Sequence, residues 1–555
     1  MTDKKRNLII GIVALLASLG LILTKYIAPD DPQPAPSPTP SISAVPAPST
    51  TPSSAPPPSP RPTPSVSSAP SPKPSQTVLP SPSPSPITPS PIPSPSQSVF
   101  VSEEVLDTFE RPEFALASKW KNAVSRTILS DQVTSMVLRS KNPCALISVA
   151  GLNVLVPYTT TKPSAPSYPL GTFYDAMKPI DSVNCVGAKY LQLDVTASVK
   201  VGDAQITVVK KTTKAPVVPT IPLAVEFNNW VMVQGYCNGG YCNEESKALQ
   251  GLQLLKSHRI SPYKGVPADT QAFWQSYVNA MSAGTVYMGW GAPSSWMPTA
   301  PVTPNAYSYI IDEPAIGNDF SAIVAAWAAY PWVKPMMTGP LKQRDYRAGP
   351  NFAKLTDWPP VIKAGIKKFT VVAEQFCHET WAGSGERYAC KADYDAASKE
   401  VNLYISNMSH GNEGGGSSGA PDLVIDRSGV EPFGFFLIAM KYDVTGLLYY
   451  DSIQGWQSVA SRSVWTDAYQ FGGHGDGLLL MPDVAKKTAL PTMRLKLLRE
   501  ASQLADIVSL AGLQADAKAL VTNTLVWQRD MAKIEALRTK ALGLLHKQVK
   551  KDSTK

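Results

Sequence analysis

Two carboxylates stand side by side in "YSYIIDEPAIGND", Tyr307 to Asp319, where Asp312 and Glu313 close an apolar, β-branched run and Pro314 follows at once. A pair of acidic side chains suits acid–base work when its members hold different protonation states. Asp, Pro and Gly are also what turns are made of. The elements around the pair decide between these readings.

From 219 onward the chain alternates strand-like and helix-like patterns. "PLAVEFNNW", "ISPYKG", "TVYMGWG", "YSYIIDEP", "VKPMMTG", "KKFTVVAEQF", "PDLVIDRSG" and "TGLLYYDSI" read as strands one to eight. Between them, "ESKALQGLQLLKSHR", "TQAFWQSYVNAMS", "DFSAIVAAWAAY", "KADYDAASKEVNLYISNM" and "EPFGFFLIAMKYDV" read as helices. Eight such alternations over about 270 residues predict an α/β fold built on a (β/α)8 TIM-like barrel. Residues 99–218 carry short β-rich runs, "TSMVLRS", "CALISVAGLNVLV", "KYLQLDVTASV" and "AQITVVKK", which predict a preceding β-sandwich without chemistry of its own. The amphipathic stretch 491–548 predicts C-terminal helices packed on the barrel.

In such barrels reacting groups sit at the C-terminal ends of strands. This places Asp312 and Glu313 on the functional rim, after strand four. Glu374 follows strand six, Asp426 and Arg427 strand seven, and Tyr450 and Asp451 strand eight. Asn228, Asn229 and Trp230 follow strand one. By the same logic "GNEGGGSSG", 411–419, runs from a helix to a strand and belongs to the opposite face. The segment 375–392, with Cys377 and Cys390, lies on the rim side.

The remaining composition describes the setting. After "MTDKKRN", the uncharged run Leu8 to Thr24 has no small-x-small cleavage site behind it, so we expect an uncleaved single-pass anchor, with everything after Lys25 outside the cytoplasm. Residues 29–98 hold many of the chain's 53 prolines and form a spacer that can extend roughly 200 Å. The expected organisation is thus 1–28 cytoplasmic tip and anchor, 29–98 disordered linker, 99–218 sandwich, 219–490 barrel and 491–555 helices. A net charge of +8 is partly terminal, and no Lys/Arg stripe interleaves with aromatics, so nucleic acid is not an expected partner. Six cysteines fit an oxidising compartment. Proximity suggests Cys144–Cys185, Cys237–Cys242 and Cys377–Cys390, although fifteen pairings are open. With no CxxC, no HExxH and scattered histidines, neither a metal nor another cofactor is expected.

Taken together, "YSYIIDEP", "FGFFLIAMKYDVTGLLYYDSIQGW", "YQFGGHGDGLLLMPD" and "PTMRLKLLREA" resemble a bacterial family, domain-of-unknown-function family 4091, related to glycoside hydrolase family 123. The resemblance spans about 220–510. It implies a sandwich followed by a barrel, and exo-acting β-N-acetylgalactosaminidase chemistry on an adjacent Asp-Glu pair that falls on Asp312 and Glu313. A 2-acetamido sugar can supply its own nucleophile, the acetamido carbonyl oxygen. On this implication Asp312 orients the acetamido N–H, and Glu313 protonates the leaving oxygen and later activates water.

Sugar sites also need aromatic platforms and hydrogen-bonding groups. Candidates are Tyr287, Trp290 and Trp296 near strand three, Tyr450, Asp451 and Trp456 after strand eight, and Trp465, Tyr469, His474 and Asp476 in the following loop. The leading expectation is an outward-facing, membrane-anchored hydrolase of a GalNAc- or GlcNAc-type sugar in a glycan or amino-sugar-containing polymer. A catalytically silent glycan-binding module and a structural envelope protein are the alternatives from other classes. The paired carboxylates favour the enzyme, since a binder needs no acid/base group.

Overall fold

The computed structural model describes residues 102–107, 110–227, 245–263, 286–288, 306–314, 318–344, 355–379, 385–411, 417–458 and 462–553, all within a compact unit from Pro95 to Lys555. The expected anchor at 8–24 and the linker at 29–98 lie outside the described residues. Among the described residues no helix is long and apolar enough to cross a membrane.

The first part is all β. Strands β1 (Glu103–Leu106), β2 (Trp120–Lys121), β3 (Ala123–Ile128), β4 (Thr134–Ser140), β5 (Asn153–Thr159), β6 (Thr172–Pro179), β7 (Tyr190–Val195), β8 (Val199–Val201) and β9 (Ala204–Lys210) form two sheets. One is antiparallel in the order β2-β1-β4-β7-β5-β6, and the other runs β3-β9-β8. Val105, Val124, Met136, Leu138, Leu191, Leu193, Val201 and Ile206 fill the space between them. The opposite face of the larger sheet is apolar too: Leu106, Val137, Leu155, Phe173 and Met177 join the main core of the chain. A sheet covered on both faces explains why β4 and β7 are buried almost throughout rather than on alternate residues. The expected run "CALISVAGLNVLV" is not one strand. Pro143–Leu146 is a 3-10 turn, and Gly151 takes a left-handed φ of 76° just before β5 begins. Cys144 pairs with Cys185 in a disulfide.

The second part is α/β. Strands β10 (Leu223–Glu226), β11 (Ile260–Tyr263), β12 (Val286–Met288), β13 (Ala306–Ile311) and β14 (Val333–Thr338) are followed by the hairpin β15 (Lys342–Arg344) and β16 (Leu355–Asp357). Then come β17 (Lys368–Val372), β18 (Glu400–Ile405) and β19 (Leu447–Tyr449). Apart from the hairpin they form one parallel sheet, ordered β11-β10-β19-β18-β17-β14-β13-β12. The last strand pairs with the first, Leu447 opposite Leu223, so the sheet curls on itself. Its ends, β11 and β12, approach each other, but no ladder joins them among the described residues.

Residue parity separates the two faces of this sheet. Ala224, Tyr307, Tyr309, Met336, Val372, Tyr404 and Leu448 cluster on the inner face. Val225, Ile310, Met337, Val371 and Leu403 face outward into the main core. There they meet helices α1 (Glu245–Ser257), α2 (Ser321–Trp327), α3 (Pro360–Gly365), α4 (Lys391–Ala396) and α5 (Glu431–Tyr442).

One expected strand is corrected. "PDLVIDRSG" is irregular, and the seventh strand of the sheet is "EVNLYI", Glu400–Ile405. The stretch expected as one helix therefore splits into the short α4 and β18, because five of the six positions in "EVNLYI" are buried and strand-forming Val, Tyr and Ile supply three of them. Of "GNEGGGSSG", the described ends, Gly411 and 417–419, follow the C-terminal end of β18 and so stand on the functional rim and not opposite it, while 412–416 lie outside the described residues.

The C-terminal helices are α6 (Met493–Leu510), α7 (Gln514–Ala519) and α8 (Met531–Ser553). Thr492 caps α6 by accepting the Leu495 N–H. Although rich in charge, α6 is buried over most of its length, because its cations meet the sandwich. Arg494 binds Asp175 at 2.8 Å, and Lys496 and Arg499 both bind Asp194 at 2.8 Å. Arg494 also donates to the carbonyls of Leu423, Gly475 and Leu478, tying the sandwich to the loops on the rim.

Candidate active site

The end of β13 departs from regular geometry at the paired carboxylates. Against β14, Tyr309 faces Met336 but Ile311 faces Met337, so one extra residue is accommodated at Ile310. Such a bulge re-aims the residues beyond it. Glu313 then takes a φ of 33°, which is rare for a non-glycine residue, before Pro314. Both Asp312 and Glu313 are exposed. On a straight strand these neighbours would point to opposite faces; the bulge and the turn free both for the rim.

Three side chains from the sheet hold the pair. Tyr309 Oη donates to Asp312 Oδ1, and Thr338 Oγ1 lies 3.2 Å from the same oxygen. Thr338 Oγ1 also accepts the Glu313 backbone N–H at 2.7 Å. From β18, Tyr404 Oη donates to Glu313 Oε1. Burial, reinforced by the neighbouring carboxylates, pushes both phenols well above their usual range. They therefore stay protonated and act as donors. None of the three was singled out from the sequence. The signal that could have found them is positional: each stands at or near the C-terminal end of its strand, at inner-face parity.

The other expected rim residues fall into three groups. Glu374 follows β17 in the 3-10 turn Ala373–Gln375 and is half-buried. Its Oε1 accepts from Ser418 Oγ at 2.6 Å and Ser409 Oγ at 3.3 Å, holding both arms of the loop after β18. Burial raises its pKa, and Oε2 has no hydrogen-bond partner among the described residues. Next to it, His410 pairs with Asp422 at 3.1 Å and stands 3.8 Å from Asp476. Burial alone would lower its pKa, but Asp422 and Asp476 outweigh it and bring it to about 9. Asp476 accepts from Tyr449 Oη at 3.0 Å, and burial lifts it to about 6. Tyr450 is half-buried, edge-on to Tyr449 and to Phe471, which is 45% exposed on a left-handed φ of 47°.

A second group is not open to a ligand. Trp456 is fully buried and its indole N–H donates to Leu480 O at 3.0 Å, so it is a core residue and offers no platform. Asp451 is buried and accepts the Ser452 and Ile453 N–H groups, which shapes the turn after β19. Asp426 accepts from Ser164 N–H at 2.7 Å and Ser164 Oγ at 2.6 Å, and His474 contacts Tyr158 Oη at 2.8 Å and Lys162 O at 2.7 Å. Both therefore serve the joint between sandwich and barrel loops. Arg427 pairs with Glu431 and covers the Tyr168 ring. Lys162 sits over Tyr469, and Lys178 over Trp465. The sandwich, expected to carry no chemistry of its own, supplies Tyr158, Lys162, Ser164, Tyr168 and Lys178 among these partners.

The third group lies outside the described residues: Asn228, Asn229, Trp230, Trp290, Trp296, Cys237 and Cys242. The backbone of Tyr287 lies in β12 opposite Tyr307. Cys377 and Cys390 form a disulfide across the segment after β17.

No protein-family model matches this chain, and no curated protein matches it. Among solved structures it is similar to a family 123 glycoside hydrolase from Clostridium perfringens, studied for glycolipid glycan hydrolysis. The TM-score is 0.51 at 10% sequence identity, covering 81% of this chain and 99% of the other. At that identity the likeness is one of fold.

Proposed function

We propose that this chain is a glycoside hydrolase that removes a 2-acetamido sugar of GalNAc or GlcNAc type by substrate-assisted, retaining catalysis. The observation that carries this reading is the bulged, positive-φ end of β13, which presents two adjacent carboxylates on one rim under three hydroxyl groups. Maintaining a strained backbone and two adjacent carboxyl groups costs stability, and such features persist where function needs them. The fold likeness to a family 123 glycoside hydrolase supports the same class.

The roles follow from what each group can do. The acetamido carbonyl oxygen of the substrate attacks C1 while Glu313 gives its proton to the departing glycosidic oxygen. The C1–O bond breaks and a cyclic oxazolinium forms. Asp312, oriented by the Tyr309 and Thr338 hydroxyls, accepts the acetamido N–H and offsets the positive charge that grows there. Glu313, now a carboxylate, takes a proton from the water that attacks C1 and reopens the ring. Tyr309, Thr338 and Tyr404 position the two carboxylates. Phe471 beside Tyr450 offers an exposed ring face near the rim for a sugar to stack on. The basic N-terminus, the apolar run 8–24 and the Pro-rich segment support display of this site outside a bacterial cell membrane, toward a glycan or amino-sugar polymer.

The test is an assay on aryl β-N-acetylhexosaminides beside the Asp312→Asn and Glu313→Gln variants. Turnover lost by at least about 100-fold in both variants is expected. Glycan binding without turnover of any 2-acetamido substrate would instead identify a silent binding module. Equal rates on sugars lacking the acetamido group would remove the substrate-assisted mechanism.

A further inference from the structure

The face opposite the carboxylates carries a second concavity. A cleft of about 790 Å³ opens between α2 and α3 at the N-terminal ends of the strands. Its volume falls in the range of small-ligand sites. Its walls are apolar: Val324, Trp327 and Ala328 from α2 and its end, and Val361 and Ala364 from α3. Small side chains on both helices leave the space open, and Val361 is 45% exposed within it, apolar surface that a ligand would remove from water.

One end of the cleft is charged, and its charge does not balance. Glu400, at the start of β18, accepts from Lys334 Nζ at 2.6 Å and from Tyr307 Oη at 2.8 Å, and lies 3.5 Å from Lys368 Nζ. Lys368 is 1% exposed. Burial lowers the pKa of Lys368 to about 7; the charged residues that line the cleft itself are two cations, Lys334 and Lys367, and one anion, Glu400. Lys367, exposed at the cleft edge, donates to the Ala364 carbonyl at 3.3 Å and has no carboxylate partner among the described residues, and Lys399 beside it donates to Ile366 O at 2.6 Å. Burial first, and then the charges of Lys367 and Lys363, lower the pKa of Lys399. Lys363 is itself paired with Asp357.

We propose that this cleft binds a single-chain amphiphilic anion, its alkyl chain along the α2–α3 walls and its carboxylate or sulfate head between Lys334 and Lys367. A purely apolar occupant would leave the excess positive charge unanswered, and a small inorganic anion would leave the apolar walls wet. The site is independent of the glycosidase reading, since it lies at the other end of the strands.

Calorimetric titration of the full chain with sodium decanoate below its micellar concentration tests this. Saturable binding with one ligand per chain is expected. Lys367→Glu, an exposed change, should weaken it by roughly tenfold or more, since like charges then face the head group. Ala328→Trp should abolish it by filling the cleft, and Ala325→Phe serves the same purpose if that variant does not fold. Decyl sulfate should bind comparably, and neutral decyl maltoside at least about tenfold more weakly. The proposal is overturned by absence of saturable binding, by undiminished binding in the filled variants, or by equal affinity for the neutral amphiphile.

Discussion

The hydroxyl of Thr338 accepts the backbone N–H of Glu313 at 2.7 Å. The same oxygen stands 3.2 Å from Asp312 Oδ1 and 3.0 Å from Tyr309 Oη. A single side chain on β14 therefore fixes the strained turn of one carboxylate and the orientation of the other. Thr338→Val keeps the shape and leaves that N–H without its partner, a loss of about 1–3 kcal/mol at the site. We expect kcat/KM on an aryl β-N-acetylhexosaminide to fall roughly 10- to 100-fold, with Thr338→Ser restoring most of it. Wild-type activity in the valine variant would show that the hydroxyl positions nothing.

Tyr404 is the inner-face donor to Glu313. Tyr404→Phe removes one hydroxyl from a buried site with little change in shape. The expected result is a fall in kcat of about tenfold or more with KM changed less than about threefold, because the group acts on the acid/base carboxylate and not on the bound sugar. A change confined to KM would move Tyr404 from positioning to substrate binding.

Phe471 exposes an aromatic ring on a left-handed backbone beside Tyr450. If a sugar stacks there, Phe471→Ala should raise KM by roughly 5- to 30-fold, about 1–2 kcal/mol of lost contact, while kcat changes little. Phe471→Tyr should behave as wild type. Unchanged KM in the alanine variant would place the platform elsewhere.

The buried acids predict how stability depends on pH. Burial lifts Glu431 and Glu500 from 4.5 to about 7. The folded chain keeps protons there that the unfolded chain releases, so stability falls as pH rises from about 4.5 through 7. His410, raised to about 9, acts in the same direction: its ionic pairing is complete below about 6.5 and is lost as pH rises through 9. Asp194 works oppositely. Burial would raise it, but Arg499 and Lys496 hold it well below 3.8, so its contribution is present above that value and lost as pH falls below it. The melting temperature should therefore be several degrees higher at pH 5 than at pH 8.5. Glu500→Gln, which keeps the acceptor for the Ser135 N–H, should narrow that gap. A gap of the opposite sign would contradict the assignment of these acids as buried and protonated.

Much of the fold was legible because periodicity is local. Strands six and eight, "KKFTVVAEQF" and "TGLLYYDSI", and the helix "EPFGFFLIAMKYDV" need only their own apolar pattern to be recognised, and each is found where its pattern put it. The seventh strand was misplaced because "EVNLYI" follows a helical pattern without a strong break, while "VIDRSG" imitates a strand ending in a turn. What separates them is pairing: Glu400 to Tyr404 lie beside Lys368 to Val372. Pairing with a distant segment leaves no mark in a local window. The same holds for Trp456, a sugar-platform type of residue that the core claimed, and for Asp426 and His474, which the sandwich loops claimed through Ser164, Tyr158 and Lys162.

By itself the sequence determined that Asp312 and Glu313 are adjacent, that they end a strand, and that Pro314 prevents that strand from continuing. Residue order and backbone sterics suffice for this much. Only the tertiary structure decided that both side chains reach the rim. The bulge exists through the register of β13 against β14, and Glu313's positive φ is held by a hydroxyl twenty-five residues away in sequence. The donors Tyr309, Thr338 and Tyr404 come from three strands of one sheet, β13, β14 and β18, with β17 between the last two. Side chains that far apart along the chain meet only when the strands between them pair, so their common purpose is a property of the folded sheet.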